Sequence, residues 1–566
     1  MNRILALAFV AIFAAIDAAG WWWFNRPVPV ALSFNEPFPS VSFAPFRRGQ
    51  SPLSRDYPPP SQIAEDLSSL KGVSKGVRTY TSLEGMELVP QLAAELGMEV
   101  THSAWLGAKL STNDREVEAL VKAANQHPDT IKRVIVGNEV LLRNDLPAGQ
   151  LIEYIRKVKA RVRQPVSYAD VWAFWLKHPE VANEVDFLTI HILPYWEDEP
   201  IGVDGAGDHI VEIYRLMAKA FPGKPILIGE AGWPTRGRSR GAAVASMENG
   251  ARFVRTLARI SKENGFDYNV VEAFDQPWKA MLEGTVGANW GVVDADRRVK
   301  FAMSGPVDPS PSWSRHAALS VLLGSAAALW FLLRRRYGLT GGMLVAALAQ
   351  LAAALVVWQA VNAMALSFNR VDDVWAAVRV AVHAGLAALM IKAAGEGFVA
   401  GGEPAYSRWA ERLVPLYGFA AIAVSMLLLF NGRYRDIPPV EFLIPCVGIT
   451  AFALARMTVF GEDWMRAFAV GRLFGGATPG GFGPARQVTV GLLLAAAASP
   501  LSEAVALARG DDFVHSHPKL SDQLPLLIRS LWENQEMMVW TAMVLVMVLP
   551  FLAEHLLAEK GKGEGG

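Results

Sequence analysis

The sequence predicts an α/β architecture: a (β/α)8 barrel of the TIM type, followed by an all-α bundle of transmembrane helices. Three observations predict it. Eight β-rich runs alternate with amphipathic helical patterns between residues 38 and 303. A Pro/Ser stretch, SGPVDPSPSWS at 304–314, then ends that alternation. Beyond it the chain turns to long apolar runs, and overall 52% of its residues are hydrophobic and 19% charged. Its mean hydropathy of +0.23 is high for a wholly soluble chain.

Residues 1–24 open with one arginine, then ILALAFVAIFAAIDAAG and a tryptophan triplet. An apolar run of this length reads as an uncleaved signal anchor with an interfacial aromatic belt. A cleaved signal peptide is the competing reading, because Ala18, Ala19 and Gly20 follow the apolar core. Asp17 is out of place in both. Residues 25–37 form a Pro-containing linker. The expected strands are 41–46, 76–82, 98–107, 131–140, 165–172, 185–195, 225–234 and 268–278. Helical stretches such as REVEALVKAANQ and GARFVRTLARISKENG lie between them. Eight such pairs in about 250 residues is the pattern of a (β/α)8 barrel. An open doubly wound sheet is the rival, but no GxGxxG follows the first strand.

Residues 304–315 form a second linker, 316–558 the bundle and 559–566 a tail. Apolar spans are expected near 316–333, 342–366, 374–393, 413–430, 440–460, 488–508 and 537–556. Arg334–Arg335–Arg336, then Arg408 and Arg412, then Arg466, Arg472 and Arg486, then Lys560 and Lys562 fall in alternate loops. The intervening loops carry Arg433, Arg435, Arg509, Lys519 and Arg529 and are less basic. The positive-inside rule places the basic loops and both termini in the cytoplasm and the barrel on the opposite side. The expected location is a bacterial inner membrane, multi-pass, with the barrel in the periplasm.

Charge excludes some classes. Lys+Arg and Asp+Glu are both 54, so no basic excess points to nucleic acid. One cysteine, Cys446, gives neither a disulfide framework nor a thiolate zinc site. The histidines lack ligand spacing, and no HExxH motif or phosphate loop appears. No metal or cofactor is expected.

Two stretches carry chemistry. VGNEV at 136–140 ends the fourth expected strand, and IGEAGWPT at 228–235 ends the seventh. In a barrel, strand ends form the reactive face. Glu139 and Glu230 would then face one cleft as a carboxyl pair, the arrangement glycoside hydrolysis needs. The placement is compatible with a retaining pair, about 5–5.5 Å apart. A lone glutamate at a strand end is more often a solvated residue; two in matching surroundings argue otherwise. Gly137 and Gly229 read as positions where bulk would crowd a ligand.

GNE at 137–139 and GEAGWPT at 229–235 resemble glycoside hydrolase family 17, the β-1,3-glucanase family. YNVVEAFDQPWK at 268–279 and WGVVDADRRVK at 290–300 look like its eighth-strand and closing segments, over roughly residues 40–300. The resemblance implies a (β/α)8 barrel, a retaining double displacement, Glu139 as acid/base and Glu230 as nucleophile. It implies a β-glucan substrate, and either transfer to a sugar hydroxyl or hydrolysis. A glycan-binding or glucan-export membrane protein with an accessory barrel is the alternative.

A supporting cast follows. Asn138 is expected to bond the sugar 2-hydroxyl. Trp105, Trp172, Trp196, Trp233 and Trp278, with Tyr80 and Tyr195, offer faces for sugars, or else core. Glu272, Asp275 and Lys279 suggest a charged network near the nucleophile. Arg47, Arg78 and His191 lie at strand ends. The resembled pattern H-x-Y-P here reads HILPY, with Leu193 in the tyrosine position, which leaves open whether Tyr195 substitutes. Arg236, Arg238 and Arg240 read as a solvated loop, with contact to an anionic substituent on a glucan as the alternative. Arg379, His383, Arg456 and Glu503 are expected to pair within the bundle and hold it together, and Pro500 to break or kink its helix. The alternative is a polar path or a dock for a membrane glucan synthase. The expected partners are thus a β-glucan, a lipid bilayer and such a synthase.

Overall fold

The computed structural model describes residues 3–397, 408–430, 432–473 and 482–563. Residues 564–566 of the tail, and the side chains of Arg408, Arg472 and Lys562, lie outside the described residues. The chain forms two compact units: Pro27–Pro309 with Gly510–Ser516, and Met1–Arg26 with Ser310–Arg509 and His517–Gly566.

The first unit is the expected barrel. Its strands are β1 (Val41–Ser42), β2 (Gly76–Arg78), β3 (Glu99–Ala104), β4 (Ile131–Asn138), β5 (Val166–Val171), β6 (Leu188–His191), β7 (Ile226–Ala231) and β8 (Asp267–Val270). They close in sequence order, each parallel to its neighbours, and β8 returns to β1. Parallel strands buried on both faces carry continuous apolar runs, and Val134, Ile135 and Val136 are fully buried in β4. The helices turn one stripe inward, as Val117, Leu120, Val121 and Ala124 do in the helix Leu110–Gln126.

The strands end sooner than the sequence suggests. The run at 165–172 stops at Val171, because Trp172 starts the helix Trp172–Lys177. The run at 268–278 holds strand geometry only to Val270; the rest is loop. β propensity does not separate a strand from the loop that leaves it. The two linkers also differ from the reading. Val28 and Val307 exchange backbone hydrogen bonds of 2.8 and 2.9 Å. Arg255 donates to the carbonyls of Val30, Leu32, Ala302 and Gly305, so both segments are fastened to the barrel.

The second unit is helical. Among the described residues, eight helices are long and apolar enough to cross a membrane: Arg3–Asn25, Trp313–Arg334, Leu339–Ala365, Arg370–Lys392, Arg412–Leu429, Glu441–Thr458, Ala485–Ala508 and Gln535–Gly561. Polar groups pair inside it. Asp17 accepts from Ser320 Oγ at 2.6 Å and Gln350 Nε2 at 2.7 Å. Arg379 Nη1 lies 3.4 Å from Glu441 Oε1, and His383 Nε2 lies 2.9 Å from the Glu441 carbonyl. Arg456 pairs with Glu462 at 2.9 Å, and Asn534 Nδ2 reaches Glu503 at 3.3 Å. Pro500 does not end its helix, which runs from Ala485 to Ala508. A further helix, Leu520–Glu533, has no counterpart among the expected spans; it is short and carries Pro525 within it.

Candidate active site

Four strand ends deliver four side chains to the C-terminal mouth of the barrel. Arg78 ends β2, His191 ends β6, Glu230 lies one residue before the end of β7, and Glu139 follows β4 directly. The ladder register shifts between Ile135 and Asn138, Ile190 and His191, and Ile228 and Ala231. Such irregularities re-aim side chains beside sites. Glu139 itself has φ 52°, an uncommon conformation for a residue with a Cβ.

The side chains then interlock. Arg78 Nη1 donates to Gly229 O at 2.8 Å and to Glu230 Oε1 at 3.1 Å, and Nη2 donates to Asn138 Oδ1 at 2.5 Å. His191 Nδ1 lies 2.9 Å from Glu139 Oε1. Its Nε2 lies 3.5 Å from Arg78 Nη1 and 3.6 Å from Glu230 Oε1. A nitrogen facing an N–H donor presents its lone pair, which assigns the ring proton to Nδ1 and makes His191 the donor to Glu139. One atom from each of Glu139, His191 and Glu230 lies within 4.8 Å of the others. Two carboxylates and an imidazole could hold a divalent cation. Here Arg78 already donates to Glu230 Oε1 and His191 Nδ1 already contacts Glu139 Oε1, so protein groups occupy one oxygen of each carboxylate.

The electrostatics are uneven. Burial pushes the Glu139 carboxyl up, but the His191 hydrogen bond, with the charges of Arg143 and Arg78, outweighs it, so the group is held below its ordinary range. Burial drives Glu272 up to about 7, although Lys279 Nζ sits 2.9 Å from its Oε1. Burial alone would pull Lys279 down; Glu272 and Glu283 hold it above its ordinary range. Glu283 is raised by burial, against Lys279, and further by the charges of Glu139 and Glu230. Tyr80 donates to Ser42 Oγ at 2.9 Å and lies beneath Arg78, 5.0 Å from ring centre to guanidinium carbon.

The other expected site residues divide. Asn138 gives its Oδ1 to Arg78, and its Nδ2 has no partner among the described residues. Trp105 is 38% exposed. Trp196 is half-buried, stacked on Trp290 and covered by Arg240. Trp278 is half-buried and donates to Gln276 Oε1 at 2.9 Å. Trp172 is buried and donates to Glu197. Tyr195 and Trp233 do not offer faces to a ligand. Both are core, packed edge to face on each other, with the Tyr195 hydroxyl donating to Arg238 O and the Trp233 N–H to Val244 O. Tyr195 therefore does not replace the tyrosine missing at Leu193. Asp275 is buried and bound to Lys300 at 2.7 Å and to Gly291 N at 2.9 Å. It braces the closing segment 290–300.

Two further readings are corrected. Arg238 and Arg240 are not solvated: both are buried, and Arg240 Nη1 donates to Tyr195 O at 2.6 Å. The two glycines do not clear space for a ligand. A Cβ at Gly137 would meet Val140 at 2.8 Å, and one at Gly229 would strike Thr189 and approach His191 and Arg78, all within the barrel. Gly137 also has φ 88°, which favours glycine.

Sequence reasoning missed Arg143, Glu116, Glu283 and Trp290. Glu116 lies on the helix Leu110–Gln126 and accepts from Thr81 Oγ1, Ser82 N and Trp105 N. Nothing in its helical pattern marks it as other than an exposed-face carboxylate. Arg143, four residues after Glu139, had the better signal, since a turn returns such a residue to its start.

Residues 40–291 match the model of the BtgE/BtgC glycoside hydrolase domain. A relative from Aspergillus niger, named as a glucan endo-1,3-beta-glucosidase, is 28% identical over 48% of this chain and 43% of its own length. The chain thus spans less than half of that protein. A glucan 1,3-beta-glucosidase from Schizosaccharomyces pombe is 29% identical over 42% of this chain and 79% of its own. A solved glycoside hydrolase family 17 beta-1,3-glucanosyltransferase from Rhizomucor miehei is 32% identical, covering 46% of this chain and 95% of that one, with a TM-score of 0.41. Over residues 40–291 the barrel segment is thus similar to the BtgE/BtgC glycoside hydrolase domain.

Proposed function

We propose that the protein is a membrane-anchored, periplasm-facing enzyme that cleaves β-1,3-glucan by a retaining double displacement and passes the glycosyl unit to a sugar hydroxyl or to water. One observation carries the reading: carboxyl oxygens of Glu139 and Glu230 come within 4.8 Å of each other at the barrel mouth. Retaining pairs stand about 5–5.5 Å apart, and inverting pairs about 6.5–9.5 Å. The names of the relatives supply the substrate class.

Glu230 is the nucleophile. Arg78 at 3.1 Å stabilises its carboxylate and fixes one oxygen, leaving the other for the anomeric carbon. As that C–O bond forms, the glycosidic C–O bond breaks, and Glu139 gives its proton to the leaving oxygen. Glu139 must therefore be protonated when donor is bound. A sugar that covers the cleft strengthens the burial that already favours the neutral form. Once the glycosyl ester neutralises Glu230, Glu139 ionises more readily and takes the proton of the acceptor. His191 carries its N–H to Glu139 throughout and sets the orientation of the acid.

The eight apolar helices support the anchoring, and the alternating basic loops support a barrel outside the cytoplasm. The test is to incubate the full chain, in detergent or nanodiscs, with laminari-oligosaccharides. Products longer than the substrate indicate transfer, and shorter ones alone indicate hydrolysis. Binding without turnover would replace the enzyme reading with that of a glycan-binding or export protein. Reporter fusions at residues 310 and 340 should report opposite sides of the membrane.

A further inference from the structure

We infer that Trp105 and Arg143 form the acceptor subsite, a platform on which the sugar that receives the glycosyl unit stacks beside Glu139. The inference rests on the proposed displacement reaction. The acid/base touches the leaving oxygen in the first step and the acceptor hydroxyl in the second. The acceptor must therefore lie on the Glu139 side of the cleft, away from Glu230. Trp105 follows the end of β3, the strand next to β4.

The platform is built rather than incidental. The Arg143 guanidinium carbon lies 4.2 Å from the Trp105 ring centre and covers one face. The indole remains 38% exposed, a broad apolar face of the kind that stacks on sugar C–H groups. Arg143 Nε donates to Asp145 Oδ2 at 2.7 Å, Nη2 to Leu106 O at 2.8 Å, and Nη1 to Asn138 O. Its backbone N donates to Glu139 O at 2.9 Å. One side chain thus binds the segment after β3 to the segment that carries the acid. The Trp105 backbone is fixed from the other side by Glu116 at 3.2 Å. Arginine has five N–H donors; three are used here, which leaves two for acceptor hydroxyls.

The experiment uses the full chain and an aryl β-glucoside with an activated leaving group, whose departure needs little acid assistance. Glycosyl-enzyme then partitions between water and added laminaribiose. Trp105→Ala and Arg143→Met should each lower the transfer-to-hydrolysis ratio by about tenfold, the scale of one lost stacking contact. They should also raise the laminaribiose concentration that gives half-maximal transfer. Trp105→Phe should keep most of the ratio, and Arg143→Lys should lose part of it, because one ammonium cannot hold three acceptors and cover the ring. Turnover that falls while the ratio stays constant would mean that the pair only supports the fold, and would overturn the subsite. A native chain that hydrolyses but never transfers would overturn it as well and leave the hydrolase reading standing. A native chain that releases no aryl group would remove both.

Discussion

His191 Nδ1 lies 2.9 Å from Glu139 Oε1, and its other ring nitrogen lies 3.6 Å from Glu230 Oε1, so one imidazole stands between the proposed acid and the proposed nucleophile. Burial raises the Glu139 carboxyl, and this bond is the first of the effects that lower it. Removing it leaves burial less opposed. His191→Ala should therefore raise the pKa of Glu139. The alkaline limb of kcat/KM, where the acid loses its proton, should move to higher pH. Turnover at the optimum should fall, because the carboxyl is no longer held in place. An alkaline limb that stays put or moves down would refute this role for His191.

The two glutamates should fail differently. Glu230→Gln removes the nucleophile and should cost several orders of magnitude with every substrate. Glu139→Ala removes acid and base, worth about 10²–10⁴ each. With an activated aryl glucoside the first step should survive and the second should stall. Azide is an anion that needs no base, so it should restart turnover and yield the β-glucosyl azide. Nuclear magnetic resonance of the product reads the anomer. If the α-anomer came from Glu139→Ala, the two roles would be exchanged.

The barrel and the meeting of the two glutamates at its mouth were largely legible, and the reasons are local. Eight strands could be counted because each is a β-branched run between amphipathic helices, and Glu139 and Glu230 stand out as charges ending such runs. The aromatic residues were not separable. Trp105 and Trp233 carry the same chemistry in similar positions, yet one is open and the other has its N–H consumed by Val244 O. That division depends on which way a loop folds back. Arg238 and Arg240 failed for a related reason: charge implies solvent only when no carbonyl or ring is near, and Arg240 finds both Tyr195 O and Trp196. Arg143 lies in NEVLLRND, which reads as a polar turn until the turn closes on Asn138.

Arg78 should prove irreplaceable. It is fully buried and holds Glu230, Gly229 O and Asn138 at once. Arg78→Met leaves a buried carboxylate and two acceptors without their donor, a loss of about 3–5 kcal/mol for a broken buried pair. Lysine supplies one compact charge and cannot reach Gly229 O and Asn138 together. Arg78→Lys should therefore also lose activity and thermal stability, though less than Arg78→Met. Normal kcat/KM in Arg78→Lys would show that only charge matters here.

Asp17 ties three apolar helices together, which explains a carboxylate in the middle of an apolar segment. Its Oδ2 accepts from Ser320 Oγ at 2.6 Å and from Gln350 Nε2 at 2.7 Å, and both donors are buried. Asp17→Ala leaves them without that acceptor, at about 1–3 kcal/mol. Asp17→Asn keeps an acceptor oxygen and should cost less. Thermal unfolding of the full chain in detergent should show a lower helical transition for Asp17→Ala than for Asp17→Asn. Glucan turnover at low temperature should be unaffected in both, because Asp17 is remote in the chain from every cleft residue and belongs to the other compact unit. Equal transitions for alanine and asparagine would mean that the carboxylate is tolerated there and does not join the helices.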